Sequence, residues 1–254
     1  DEAAHGSLVT VSPRETDAGI DVYAYPHNET STGVTSPVYR VEAPNALTLV
    51  DGTSIAGAAP VDLTQVDAYY FSLQKALGSD GGLWVAVLSP AAIERARRVE
   101  ESTDGRWVPQ FLSLSAAIDN SRKDQTLNTP ALATIIMAER QVRWLLQCGG
   151  MDAVSAHCAQ ASSLIYDWAQ ANLAARPFVD NPAWRSPVTA TIEIDEAVNA
   201  SELAAHLRAR GIVDIGAYRG VGANQLRIGT WPSVDVEDVE ALLACIDYCL
   251  ERVL

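Results

Sequence analysis

The chain has 254 residues, enough for one large domain or two modest ones. Hydrophobic residues make up 48% of it and charged residues 20%, with 16 glycines and 12 prolines, which excludes disordered, collagenous and low-complexity proteins. The 18 basic and 32 acidic residues give a formal net charge of -14, which repels phosphate backbones and anionic lipids. We therefore expect no nucleic-acid partner, whereas a few well-placed arginines still suffice for an anionic small substrate.

No apolar window approaches the ~20 residues that a membrane helix needs, and the first residues, DEAAHGSLV, do not resemble a leader peptide. We expect a cytoplasmic protein without a membrane partner. Cys148, Cys158, Cys245 and Cys249 form no CxxC pair and fall among apolar helical positions, which predicts buried free thiols. Since no histidine or acidic cluster accompanies them, no metal site is predicted.

Four short apolar runs in the first half predict the strands of a sheet that is covered on both faces. The runs lie at residues 19–26, 46–50, 67–71 and 83–88, and the first three pass into polar or small-residue loops. Ligands bind in such loops at the carboxyl ends of strands in α/β sheets. The loops after these strands are therefore the expected site.

Helices open the second half, and a mixed order of elements follows them. Thr129 and Pro130 predict the N-cap and first residue of a helix that ends at the glycines 149 and 150, and a second helix is predicted from about Asp152. The elements predicted after it are a strand at 187–194, a helix from Ser201 to Ala209, strands at 211–215 and 226–230, and a helix from Asp235. This order predicts a small α+β domain at 148–254 beside the remaining part of a large domain at 1–147.

Lys75 follows an apolar strand and lies between Gln74 and a glycine-rich turn. A snorkelling surface lysine is the ordinary interpretation, but a lysine at such an edge can also serve as a Schiff-base nucleophile. Asp51 ends the preceding strand, where a turn residue is the ordinary interpretation. An amine and a carboxylate at one rim are the pair that pyridoxal phosphate requires, for covalent attachment and for a protonated ring nitrogen.

Five segments together resemble the phosphoserine aminotransferases, a family of class V, fold type I pyridoxal-phosphate enzymes. They are HNETSTG at 27–33, VDGTS at 50–54, DAYYFSLQKALGSDGGLW at 67–84, GRWVPQFLSL at 105–114 and DQTLNTP at 124–130. The resemblance runs from about Asp21 to Leu254. It implies an α/β fold with a mostly parallel sheet in the large domain, a small α+β domain, and pyridoxal 5'-phosphate as cofactor.

The resemblance also implies roles at the cofactor. Lys75 matches the lysine that binds the cofactor and moves the substrate proton, and Asp51 matches the partner of the pyridine nitrogen. Thr30 matches the residue at the phenolic oxygen, and Gln74 matches a phosphate contact. Asn128 and Thr129 match a pair that reaches the phosphate of the neighbouring subunit's cofactor, where a helix start would offer its backbone N–H groups. A homodimer with shared active sites is therefore expected.

On the substrate side, Arg227 matches the arginine that binds the α-carboxylate, and Arg219 matches the one that takes the distal phosphate of phosphoserine or the γ-carboxylate of glutamate. The family often has a histidine where this chain has Tyr218. The family's amino-terminal part carries a phosphate loop, a ring-stacking aromatic residue and a His-Arg pair, which the chain lacks. We therefore expect this chain to be an inactive fragment of an active enzyme.

The implied reaction is transamination from glutamate to 3-phosphohydroxypyruvate, which gives phosphoserine and 2-oxoglutarate in serine biosynthesis. A related reaction in pyridoxine biosynthesis stays open. One alternative is another class V enzyme, such as a cysteine desulfurase or an alanine–glyoxylate type aminotransferase, although buried cysteines argue against a desulfurase. The other alternative is a non-catalytic relative of the same fold with an inert Lys75.

Overall fold

The computed structural model describes residues 19–102, 107–218 and 224–252. The strands in these ranges are β1 (Val22–Pro26), β2 (Asn28–Glu29), β3 (Val34–Thr35), β4 (Leu47–Asp51), β5 (Ala68–Ser72), β6 (Trp84–Leu88), β7 (Ala175–Pro177), β8 (Thr189–Ile194) and β9 (Gln225–Gly229). The helices are α1 (Pro90–Glu101), α2 (Leu114–Ser121), α3 (Leu132–Gln147), α4 (Gly150–Ala171), α5 (Ala200–Arg208) and α6 (Val236–Arg252). None of these helices is long and apolar enough to cross a bilayer.

The first sheet has the strand order β1-β4-β5-β6. β1, β4 and β5 run parallel, and β6 pairs antiparallel with β5. Because parallel strands end at one edge of a sheet, the loops after β1, β4 and β5 emerge together. The four strands predicted in the first half are confirmed with small shifts in their bounds. The expected cover on both faces is wrong at β6, where Trp84, Val85 and Val87 are exposed in the described chain.

The second sheet has the order β7-β8-β9, with antiparallel pairing throughout. Its central strand β8 is buried at five of six positions, and helices α4, α5 and α6 pack around the sheet. Ile192, Leu203, Leu226 and Ile246 are fully buried in this core. The strands predicted at 187–194 and 226–230 and the final helix are confirmed.

Three predicted details in the second half are wrong. Residues 211–215 form no strand. Asp214 has a φ of 61°, which lies outside the extended region and interrupts the backbone conformation that a strand needs. The N-cap of α5 is Asn199 and not Ser201, since the Asn199 side chain accepts hydrogen bonds from the N–H groups of residues 201 and 202. Helix α3 begins at Leu132 with Ala131 as its N-cap, so Thr129 does not cap it. The backbone is still extended at Ala131, so the helix begins two residues later than the predicted Pro130.

Two helices were missed by the sequence analysis. Helix α1 begins with Ser89 as N-cap and Pro90 at the first position, a signal that the sequence does contain. Helix α2 begins after Ser113, whose hydroxyl oxygen accepts from the N–H of Ala116. Both helices pack on one another beside the first sheet.

The prediction of four buried cysteines is half wrong. Cys158 and Cys249 are buried, whereas Cys148 and Cys245 are exposed. Cys148 lies at the C-cap of α3, and Cys245 lies outside the buried stripe of α6. Burial therefore argues against a reactive thiol at only two of the four positions.

Helix α3 also exposes most of the apolar stripe expected to be buried. Leu145 is buried, but Leu132, Ile136 and Leu146 are 64%, 56% and 68% exposed. The domain boundary predicted at 147/148 falls between α3 and α4, and it stays a prediction because α4 contributes to the apolar cores on both sides of it.

Candidate active site

Asp51 and Lys75 emerge at the same edge of the first sheet. Asp51 is the last residue of β4 and pairs in register with Tyr70 of the parallel strand β5. Lys75 lies in the turn that follows the end of β5 at Ser72. The structure thus brings the two predicted residues to one rim, on neighbouring strands.

The backbone and one carboxylate oxygen of Asp51 are held by hydrogen bonds. The N–H of His27 donates to the Asp51 carbonyl at 2.8 Å, and the N–H of Thr53 donates to Asp51 Oδ1 at 2.8 Å. Oδ2 has no hydrogen-bond partner among the described residues. Burial first, and the negative charge of Asp51 second, raise the pKa of Tyr69 and of Tyr70, so both phenols stay neutral at physiological pH.

A buried aromatic pair supports the backbone behind Asp51. His27 Nδ1 lies 3.1 Å from the hydroxyl oxygen of Tyr69, and the two residues are 7% and 2% exposed. Burial lowers the pKa of His27 to about 4, so the imidazole is neutral near pH 7. A Cβ at Gly52 would lie 2.2 Å from Tyr69 Cζ, so only glycine fits there. Sequence reasoning missed this arrangement, because the contact between His27 and Tyr69 spans 42 residues.

The Lys75 turn is anchored by its apolar neighbours. Leu73, Ala76 and Leu77 are buried in a cluster with Ile55 and Val188, and the N–H of Gly78 donates to the Lys75 carbonyl at 2.8 Å. Lys75 Nζ has no hydrogen-bond or ion-pair partner in the described part of the chain, and Gln74 is exposed beside it. The turn is therefore fixed while its amine stays free.

Arg227 and Thr30 are in contact although they lie far apart in sequence. Arg227 Nη1 donates to the Thr30 carbonyl at 3.3 Å, and the guanidinium stacks over the ring of Tyr218 with Cζ 4.6 Å from its centroid. Burial lowers the pKa of Arg227, and no carboxylate pairs with it in the described ranges. Arg219, the second predicted arginine, lies outside the described residues.

Asn128 and Thr129 lie apart from this edge. Both are exposed and line an open groove with Gln125 and Thr126. No hydrogen bond or ion pair between described residues joins them to Lys75 or Asp51. The first turn of α3 does approach the Lys75 turn, because the Ser79 hydroxyl donates to the Thr134 carbonyl at 2.7 Å.

The groups left without partners at this edge fit pyridoxal phosphate, which carries an aldehyde, a ring nitrogen and a phenolic oxygen. They are a primary amine at Lys75, a carboxylate oxygen at Asp51 and a hydroxyl at Thr30. Asn28, the first residue of β2, adds a buried Oδ1 atom that has no hydrogen-bond partner. Unsatisfied buried polar atoms are uncommon, and this one lies where a polar ligand is expected.

Comparison with known proteins gives a consistent picture. The family model for aminotransferase class-V matches residues 11–222. A provisionally named phosphoserine aminotransferase of Mycolicibacterium vanbaalenii is 50% identical over 94% of this chain and 64% of its own length. The phosphoserine aminotransferase of Rhodococcus jostii is 48% identical over 93% of this chain and 63% of its own length. The chain thus spans a little under two thirds of these relatives.

A solved structure supports the fold. The phosphoserine aminotransferase of Cytophaga hutchinsonii superposes with a TM-score of 0.87 at 24% identity, over 98% of this chain and 69% of that one. This likeness confirms the predicted fold class, an α/β fold of the fold type I pyridoxal-phosphate enzymes. Pyridoxal phosphate is the cofactor of the matched family.

Proposed function

Because this chain belongs to the aminotransferase class-V family, we propose that the complete protein is a phosphoserine aminotransferase. It transfers the amino group of glutamate to 3-phosphohydroxypyruvate and releases O-phosphoserine and 2-oxoglutarate. The observation that carries the proposal is the placement of Asp51 and Lys75 at the ends of two neighbouring parallel strands. The names of the relatives supply the substrate, and the unpaired Arg227 supplies a receptor for its carboxylate.

Four residues bind the cofactor in this proposal, and each has a different role. Bound pyridoxal phosphate supplies an aldehyde that accepts the amino group and a ring that withdraws electrons. Lys75 Nζ holds the cofactor and moves the proton at the substrate Cα, as base and then as acid. Asp51 keeps the ring nitrogen protonated, since its carboxylate favours the positive charge. Thr30 holds the phenolic oxygen, and Gln74 contacts the phosphate.

Two arginines bind the substrate in this proposal. Arg227 binds the α-carboxylate in a bidentate manner, through two parallel N–H donors, a geometry that a lysine cannot reproduce. Arg219 takes the distal phosphate or the γ-carboxylate. Their charge is local, so it is compatible with a formal net charge of -14 on the whole chain.

We also propose a homodimer in which Asn128 and Thr129 complete the partner's phosphate site. Two observations support it: neither residue is bonded to Lys75 or Asp51 within the described chain, and α3 next to them exposes Leu132 and Ile136. Sedimentation of the complete gene product tests it, and a monomer at micromolar concentration would contradict it. The proposed place is the cytoplasm, in serine biosynthesis, while the related reaction of pyridoxine biosynthesis stays open.

Borohydride reduction with bound pyridoxal phosphate, followed by peptide mapping, tests the assignment of Lys75. Within these 254 residues the test has to distinguish only two lysines, Lys75 and Lys123. We expect the label on Lys75 alone in the complete gene product. Lys75→Arg should abolish both label and transamination, while Lys123→Arg, at an exposed position, should preserve both.

Substrate assays separate the alternatives. Glutamate with 3-phosphohydroxypyruvate should be the preferred pair, whereas preference for alanine with glyoxylate or sulfide release from cysteine would assign another class V reaction. No label on either lysine would favour a non-catalytic relative. The 254 residues alone should be inactive, and full activity of that chain would contradict this part of the proposal.

A further inference from the structure

Arg227 differs from Arg185, another partly buried arginine that stacks on a tyrosine ring, in how few of its N–H groups are occupied. Arg185 stacks on Tyr166 and donates to Val179, Gln170 and Asp180, so acceptors surround it. Arg227 is also partly buried but makes one side-chain hydrogen bond, to the Thr30 carbonyl. Burying part of a cation without a carboxylate partner costs free energy, and an anionic ligand that pairs with the guanidinium would offset this cost.

Tyr218 is held beside Arg227 by the backbone. The N–H of Arg227 donates to the Ile215 carbonyl at 2.9 Å, and Gly216 forms an antiparallel bridge with Leu226 of β9. The segment before Tyr218 therefore runs along the strand that carries Arg227. This pairing brings the Tyr218 ring over the guanidinium, at 4.6 Å from Cζ to the ring centroid.

The geometry points to a positioning role for Tyr218: its ring and the Thr30 carbonyl hold the Arg227 guanidinium so that the remaining N–H groups face an incoming carboxylate. This inference rests on the proposed function, in which Arg227 binds the α-carboxylate of an amino-acid substrate. A ring stacked on one face fixes the guanidinium plane and uses none of its N–H donors. The Tyr218 hydroxyl makes no hydrogen bond to a described residue, so the ring alone carries this role.

Preorganisation has a measurable consequence for binding. A free arginine side chain must lose rotamer freedom when it binds, and a stacked one has lost it already. The benefit appears in the ground state as well as in the transition state, because the carboxylate is bound in both. Removal of the ring should therefore raise KM and leave kcat nearly unchanged.

The test uses the complete gene product with bound pyridoxal phosphate. Tyr218→Ala should raise the KM for glutamate and the Kd for glutarate, a dicarboxylate without an amino group, by roughly 3- to 30-fold, with kcat within about twofold. Tyr218→Phe keeps the ring and should match the wild type. Tyr248→Ala is the matched control, since Tyr248 is another exposed tyrosine stacked on an arginine, Arg252, on the surface of α6.

A double-mutant cycle assigns the effect to Arg227. In an Arg227→Ala background, Tyr218→Ala should have no further effect on the glutarate Kd, because the residue that it positions is absent. If Tyr218→Ala leaves KM and Kd unchanged in an active enzyme, or if the two substitutions are additive, the role of Tyr218 is wrong while the proposed function stands. If the wild-type protein neither transaminates nor binds glutarate, both fail. Tyr218→Leu replaces the alanine variant should the latter unfold, and it carries the same expectations.

Discussion

The two sheets of this chain differ in how completely the described residues cover them. The central strand β8 of the second sheet is buried almost throughout, whereas β6 of the first sheet exposes Trp84, Val85 and Val87 at 56%, 40% and 43%. Burial of apolar surface is the main stabilising contribution to folding, so the second sheet contributes more of it. The part of the proposed active site that carries Asp51 and Lys75 lies on the less covered sheet, where specific contacts such as that between His27 and Tyr69 must hold its edge.

A substitution in the second sheet should therefore destabilise the protein much more than a comparable one in β6 of the first sheet, and this is the largest effect that we expect. Ile192→Ala removes a fully buried side chain from β8 and should lower the free energy of unfolding by about 2–5 kcal/mol. Val87→Ala on β6 removes a side chain that is 43% exposed and should cost less than about 1 kcal/mol. Urea unfolding of both variants measures the contrast. Equal losses would show that another surface covers β6 in solution.

His27, which lies behind Asp51 at the edge of the first sheet, should make the stability of the protein depend on pH. The pKa of His27 falls from its ordinary value of 6.5 to about 4 in the folded chain, because burial disfavours the charged imidazole. Between these values the unfolded chain binds the proton and the folded chain does not, so stability is lost as the pH falls from about 6.5 to about 4. The loss from this group amounts to about 3 kcal/mol at most.

The measurement compares wild type with His27→Gln, which keeps a polar side chain near Tyr69 but has no proton to gain. Urea unfolding at about pH 7 and about pH 5 should show a smaller loss of stability on acidification for the variant than for the wild type. Equal losses in the two proteins would mean that His27 does not titrate in this way. Carboxylates titrate in both proteins, so their contribution cancels in the comparison.

Local signals in the sequence predicted much of the fold and one part of the site. Alternating apolar runs and polar loops located β1, β4 and β5, and the rule that parallel strands end together then placed Asp51 and Lys75 at one rim. The contacts that support this rim were not predictable, because Gly52 and Tyr69 meet only after β4 and β5 pair.

The errors in the prediction have similar physical causes. The strand expected at 211–215 fails at a single residue, Asp214, whose backbone lies in the left-handed region. Ser201 was a reasonable N-cap by residue type, but the side chain of Asn199, two residues earlier, accepts from the N–H groups of residues 201 and 202 in the first turn of α5. The apolar stripe of α3 has the periodicity of a buried face, yet periodicity cannot say whether the covering surface belongs to the same chain.

The smallest of the three expected stability effects tests the packing behind Asp51. Gly52→Ala would place a Cβ 2.2 Å from Tyr69 Cζ, and the buried ring must shift, so we expect a loss of about 1–3 kcal/mol in the free energy of unfolding. Gly81→Ala is the control, because nothing lies within 4 Å of a Cβ there. In a Tyr69→Leu background the cost of Gly52→Ala should shrink, since the smaller side chain leaves room. An undiminished cost would mean that backbone conformation at residue 52, and not the Tyr69 ring, requires glycine.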